Sequence, residues 1–225
     1  DPNHKFHEIP FSFPTIAAAF SKSKVNALLS KLGINKSYLF IPAGFWPHKN
    51  HTVLVDAISE LKKRGTFIDV VMTGPDRGNY DYVRSRCKTL DVSAQFHYLG
   101  FVKKEELQVL YQEAEAMVFP SITGPNNYPP IEATSHGCPV ILSDLPGHRQ
   151  QMGEAAIYFN KFDPVDLALK IENILTNPRQ KNTLIKKGFE LIKELHPDSY
   201  FNSLSAIIKE YGCYRRLWGD KFKLK

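Results

Sequence analysis

Cysteine is scarce in this chain: three residues, Cys87, Cys138 and Cys213, far apart and odd in number. That excludes the dense disulfide frameworks of small secreted domains and fits a reducing compartment. Cys138 stands where a small apolar side chain would pack and is read as core. No stretch approaches the roughly 18 to 20 apolar residues of a membrane span. The opening residues, Asp1-Pro-Asn-His-Lys5, lack the pattern of a secretory signal and carry no initiator methionine. The expectation is a cytoplasmic protein cut from a longer one. His4 and His7 have no cysteine or carboxylate pattern near them to complete a metal site, so no metal is expected. Nucleic-acid binding has no motif behind it either. Acidic residues are the minority charge, 23 against 29 lysines and arginines, for a formal net charge of +6. That excess suits phosphate-bearing ligands or an anionic membrane face and does not choose between them.

What is present is a packed globule, 43% hydrophobic and 12% aromatic, with strand and helix patterns in alternation. Strands are predicted over 38–42, 69–73, 95–99, 116–119, 140–142 and 156–159. Helices are predicted over 50–63, 80–90, 105–113, 165–175, 179–195 and 198–211, with a further candidate over 15–32. The 50–63 stretch carries its apolar stripe at Val53, Leu54, Ala57, Ile58 and Leu61, the spacing of one buried face. Alternation with short loops predicts an α/β, Rossmann-like, doubly wound parallel sheet of about six strands. Right-handed crossovers leave the order 3-2-1-4-5-6, with the ligand crevice at the carboxyl ends of strands 1 and 4. Residues 38–196 are read as this domain, 1–37 as a lead-in, and 197–225 as a final helix with a basic aromatic tail.

The most informative stretch runs from Phe119 to Leu142. After the strand ending at Phe119 come loop-formers, among them Gly124, Pro125, Asn126 and Asn127, and then Pro129 and Pro130, which suit a helix start. Glu132 falls in the first turn, where the helix dipole favours a carboxylate, and Gly137 and Pro139 stop the helix after about two turns. So short a helix is marginal without packing. Its use is positional: it aims backbone N–H groups and a carboxylate at a strand's carboxyl end, which suits an anion beside a polyol.

Pro129-Pro-Ile-Glu-Ala133, followed by Gly137-Cys-Pro-Val-Ile141, resembles the nucleotide-sugar signature of the retaining GT-B glycosyltransferases, group 1 or family 4 type. Two further stretches agree with it in order, Phe45-Trp-Pro-His-Lys-Asn-His51 and Ser143-Asp-Leu-Pro-Gly-His148 onward through Phe159. The resemblance covers about residues 38 to 200 and implies the C-terminal, donor-binding lobe of a hexosyltransferase of polysaccharide or glycoconjugate biosynthesis. It implies a UDP- or GDP-linked sugar as substrate, no cofactor and no required metal, retention of anomeric configuration, and an acceptor domain missing from the N-terminal side. It makes Lys49 and Glu132 the catalytic candidates: the ammonium would meet the leaving diphosphate, where negative charge grows, and the carboxylate would accept from the ribose hydroxyls. Donor-binding candidates are Gly44, His48, Gly74, Gly100, Phe101, Val102, Asn126, Asn127, Tyr128 and again Glu132. Phe101 would flank the base or pack as core.

Two positions depart from the family pattern. Gly124 stands where a glutamate near the donor sugar is usual, and Phe45 where an arginine on the diphosphate is usual. Both departures occur together in the subset that this chain resembles. They leave a second reading, a degenerate lobe kept as a binding or scaffold module, and a more distant third, a nucleotide-sugar epimerase. The basic aromatic tail from Tyr211 to Lys225 is read as crossing back to the missing lobe or lying on the inner face of a membrane.

Overall fold

The computed structural model describes residues 7, 9, 12, 20–124 and 127–217, with side chains up to residue 212. Two compact units emerge. One holds Ile16–Leu191; the other joins Asp1–Thr15 to Ile192–Lys225.

The first unit is a six-stranded sheet, β1 (Tyr38–Pro42), β2 (Asp69–Thr73), β3 (Phe96–Tyr98), β4 (Ala116–Phe119), β5 (Val140–Ser143) and β6 (Ile157–Phe159). Their order is β3-β2-β1-β4-β5-β6, as predicted, and every pairing is parallel. Leu39 pairs with both Val70 and Ala116, so β1 is the central strand next to the reversal. β4 and β5 are buried throughout and β1 over its first four residues, which is why they read as continuous apolar runs rather than alternating ones. The helices are α1 (Lys22–Lys31), α2 (His51–Lys63), α3 (Tyr80–Thr89), α4 (Lys104–Glu113), α5 (Tyr128–Ser135), α6 (Pro146–Met152), α7 (Pro164–Thr176) and α8 (Pro178–Glu194), the last ending in the second unit. The stripe of α2 is buried as its spacing predicts, and α2 packs against α7. Asp163 caps α7 by accepting from the Val165 and Asp166 amides. In the second unit α9 (Pro197–Leu217) carries Tyr211 beside His7, ring centroids 6.2 Å apart.

Several boundaries move. Strand 3 is shorter than 95–99 because Ser93–Gln95 form a 3-10 turn, in which the Gln95 side chain donates to the Ile68 carbonyl at 2.9 Å. The helix predicted over 15–32 is α1, with Ser21 as its cap; residues 13–19 lie outside the described part. That helix shares the sheet's unit and packs on α4, where Lys31 meets Glu106 at 2.8 Å. α6 is an element the sequence reading lacks: seven residues with proline in the first turn and Gly153 (φ +47) at the end, too short to show an apolar stripe. Cys138 is buried core, and burial pushes its thiol up to about 12. No helix among the described residues is long and apolar enough to cross a membrane. The tail reading falls on residues 218–225, outside the described part, and on 213–217, described in backbone only.

Candidate functional site

Leaving β1, the chain makes a 3-10 turn at Pro47–Lys49 and then places Asn50 in the left-handed region (φ 54) before α2 begins. Lys49 therefore ends a turn, and the helix predicted from residue 50 starts at His51. This loop is tied to the one after β4: the Ile122 amide donates to the His48 carbonyl at 2.9 Å. It is tied also to the chain beyond β6, where Asn50 Nδ2 donates to the Lys161 carbonyl at 2.9 Å and Lys161 Nζ donates to the Ile122 carbonyl at 3.2 Å. Three loops thus converge at the carboxyl ends beside the β1/β4 reversal.

Lys49 is half-buried there. Its Nζ donates to Asn127 Oδ1 at 3.4 Å and stands 4.5 Å from the centre of the Phe119 ring. Among the described residues no carboxylate lies within ion-pair distance of it. Burial lowers its pKa. A cation held partly out of water without a counter-ion is costly, and an incoming anion would relieve that cost.

Asn127 precedes α5. The helix opens at Tyr128, just ahead of the two prolines that marked its start in the sequence, and this changes its chemistry. The first four N–H groups of a helix lack internal partners, but Pro129 and Pro130 occupy two of those four positions and carry no N–H. α5 therefore offers a dipole with fewer amides than usual. Glu132 lies five residues beyond Asn127, about 7.5 Å along the axis at 1.5 Å per residue. It is half-buried, and its Oε2 accepts from the Tyr111 hydroxyl on α4 at 2.9 Å. Tyr111 is itself buried, stacked on His136 at 5.8 Å. The second carboxylate oxygen has no partner among the described side chains, and each oxygen has two lone pairs, so capacity for a diol remains.

On the other side of the crevice, Phe45 is not at the rim. It is 0% exposed, stacked on His51 at 4.4 Å and edge-on to Tyr80 and Tyr98 at 5.1 and 5.0 Å. Among the described residues neither ring nitrogen of His51 has a hydrogen-bond partner, and the Ala43 backbone beside the ring offsets only part of the effect of burial. Burial pushes the ring's pKa down to about 4. Gly74 (φ +120) lets two loops touch: a Cβ there would fall 2.8 Å from the Ala43 carbonyl carbon and the Gly44 nitrogen. Its close approach is to the neighbouring loop, not to open crevice. Gly44 packs on Pro75, and Gly100 (φ +65) accepts from the Gly74 amide at 2.9 Å. Phe101 is 92% exposed and so is not core; Val102 behind it is half-buried. His48 is half-buried, its ring stacked on the exposed Trp46 at 6.2 Å, and burial followed by Lys49 lowers its pKa. Arg77, from the loop after β2, lies over Trp46 at 5.5 Å and adds a second cation to the rim. Tyr128 is half exposed. Asn126 lies outside the described residues. Gly124 has φ +131 and fits against the Asn127 carboxamide, to which a Cβ would come within 3.2 Å.

The structure therefore brings together Lys49, His48, Asn127 and Tyr128, with Glu132 farther along α5, while Gly44 packs on the loop after β2. Three contributors escaped the sequence reading. Tyr111 holds Glu132. His148 and Gln151, on α6, hold Asn127. Both α6 residues were within a quoted motif, but without the helix nothing turned them toward the site.

Comparison with known proteins agrees with this architecture. The family described as glycosyl transferases group 1 matches residues 27–191. The O-antigen chain mannosyltransferase RfbU of Salmonella typhimurium is 29% identical over 167 residues, 71% of this chain and 46% of that protein. The alpha-monoglucosyldiacylglycerol synthase of Acholeplasma laidlawii is 28% identical over 201 residues, 86% of this chain and 49% of that one. The chain spans about half the length of these two relatives. Among solved structures, Anabaena HepE in complex with UDP matches with TM-score 0.75 at 14% identity, over 85% of this chain and 54% of that one. The C-terminal domain of the group 1 family protein LpcC from Francisella tularensis matches with TM-score 0.64 at 16% identity, over 74% and 90%. At such identities these two speak for the fold. With the family pattern matched over 27–191, most of its length, this chain belongs to the group 1 glycosyl transferase family.

Proposed function

We propose that this chain is the donor-binding lobe of a retaining glycosyltransferase, gripping a nucleoside diphosphate hexose for transfer to a glycan, a lipid-linked or another glycoconjugate acceptor. Two strands of support meet at one place. The relatives named above transfer mannosyl or glucosyl groups, and a structural neighbour was solved with UDP. In this chain, the observation that carries the reading is the half-buried Lys49 ammonium, without a carboxylate among the described residues, at the N-terminus of α5 beside the β1/β4 reversal. In the transfer, the bond from the anomeric carbon to the diphosphate oxygen breaks and its electron pair stays on the phosphate. Lys49 would meet that growing charge. The α5 dipole adds about 0.3 to 1 kcal/mol at an exposed site, less here for want of two amides, so the ammonium dominates. Glu132, braced by Tyr111, would receive the ribose hydroxyls. This grip takes its positive charge from protein groups, and adding a chelator should leave affinity unchanged.

The test is calorimetric titration of UDP, GDP and their hexose conjugates, mannosyl and glucosyl first. Lys49→Ala should weaken binding about 10- to 100-fold, the worth of a charge-assisted contact. A chain that binds none of these ligands supports the second reading, a degenerate binding module, which the inward Phe45 and the glycine at 124 favour.

A further inference from the structure

We propose that His148 and Gln151 are positioning residues that hold the Asn127 carboxamide with its oxygen toward Lys49, and so fix the ammonium at the mouth of the crevice. The inference deepens the donor-binding reading and rests on it.

Donor and acceptor roles around the His148 ring fix the orientation of the amide. His148 is 0% exposed. Its Nδ1 lies 2.8 Å from the Ser143 carbonyl. A carbonyl only accepts, so Nδ1 carries the hydrogen. Ser143 Oγ, 3.3 Å away, does not compete, because its own hydrogen goes to the Ser121 carbonyl. With Nδ1 protonated and the ring neutral, Nε2 presents a lone pair. Its partner at 3.1 Å is Asn127 Nδ2, which must therefore be the amide nitrogen. The amide oxygen is left facing the other way, toward Lys49 Nζ at 3.4 Å. Burial lowers the His148 pKa, in keeping with the neutral ring that this chain of bonds requires.

Gln151 fixes the backbone beneath. Its Oε1 accepts from the Asn127 amide at 3.2 Å and its Nε2 donates to the Asn127 carbonyl at 2.8 Å. Asn127 is thus gripped at three points from one helix, and it makes no side-chain cap to α5, so its carboxamide is free for Lys49. Gly124, with no side chain, leaves the space the carboxamide fills. The chemistry of an amide matters. An aspartate at 127 would neutralise the ammonium, whereas a carbonyl orients it and leaves its charge for the ligand.

The experiment is a double-mutant cycle on the 225-residue chain, read as affinity for UDP and for GDP, with thermal melting alongside. His148→Leu and Gln151→Ala should each weaken binding several-fold and His148→Gln, which can both donate and accept, should restore most of it. In the Lys49→Ala background the same substitutions should do nothing more, because contacting groups couple while independent ones add. If Lys49→Ala weakens binding but His148→Leu and Gln151→Ala do not, or if their losses add to that of Lys49→Ala, the inference is overturned and the donor-binding reading stands. If Lys49→Ala itself leaves binding unchanged, both fall. Should His148→Leu fail to fold, Gln151→Ala on its half-exposed side chain decides the matter by the same outcomes.

Discussion

The two sides of the crevice are built from different materials. Beneath the loops after β1 and β2, the support is a cluster of rings: Phe45, His51, Tyr80 and Tyr98 at centroid distances of 4.4 to 5.1 Å. Beneath the loops after β4 and β5, it is a run of hydrogen bonds through Ser121, Ser143, His148, Asn127 and Gln151. Rings hold a loop by volume and are indifferent to direction. Hydrogen bonds hold a side chain in one orientation and fail when one partner is lost. The contrast explains how the two departures from the family pattern are accommodated. Phenylalanine at 45 is turned inward and contributes stability, and in the proposed reading Lys49 supplies the charge that an arginine would have brought. Glycine at 124 makes room for the amide that orients that lysine.

The largest effect should come from emptying the ring side. Phe45→Ala should cost about 3 to 5 kcal/mol of stability, the range for a deleted buried aromatic, seen as a lower melting temperature. Phe45→Arg should fare no better, because the new charge would enter the ring cluster rather than the crevice. Acid attacks the same cluster. The folded-state pKa of His51, about 4, lies below the ordinary value of about 6.5. Its contribution is therefore full above pH ~6.5 and is lost as pH falls toward ~4, a share of about 3 kcal/mol. His136 and His148, both lowered by burial, act in the same direction. His51→Phe should keep the stack on Phe45 and flatten that part of a melting-temperature profile.

Smaller effects should appear on the hydrogen-bonded side. Gly124→Glu, although it restores the usual family residue, should lower stability by about 1 to 3 kcal/mol for a side chain at a glycine-only backbone angle. It should weaken nucleotide binding by pushing Asn127 away; tighter binding would show that the carboxamide does not need that space. Tyr111→Phe should have the smallest effect, about 1 kcal/mol. It should appear in affinity for ribose-bearing ligands, with melting nearly unchanged.

Much of the fold was legible because the buried parallel strands are short apolar runs bounded by loop-formers, and because the α2 stripe has one clear face. Strand order followed from crossover rules rather than from any residue. α6 was illegible because seven residues with proline, glycine and histidine show no period, and with it went His148 and Gln151. Lys49 and Glu132 were visible as types in a pattern. Asn127 was visible as a binding candidate but its bond to Lys49 was not, and Tyr111 was missed, since those contacts join residues 78 and 21 positions apart. The inward turn of Phe45 was equally hidden: a loop position between Gly44 and Trp46 gives no sign that three rings wait beneath it.

The central claim is that the Lys49 ammonium grips the diphosphate. It is tested most directly by comparing affinity for UDP or GDP with affinity for the matching nucleoside, in the native chain and in Lys49→Met. The account predicts that the substitution weakens diphosphate binding about 10- to 100-fold and leaves nucleoside binding unchanged. Equal losses for both ligands, or no loss for the diphosphate, would contradict it.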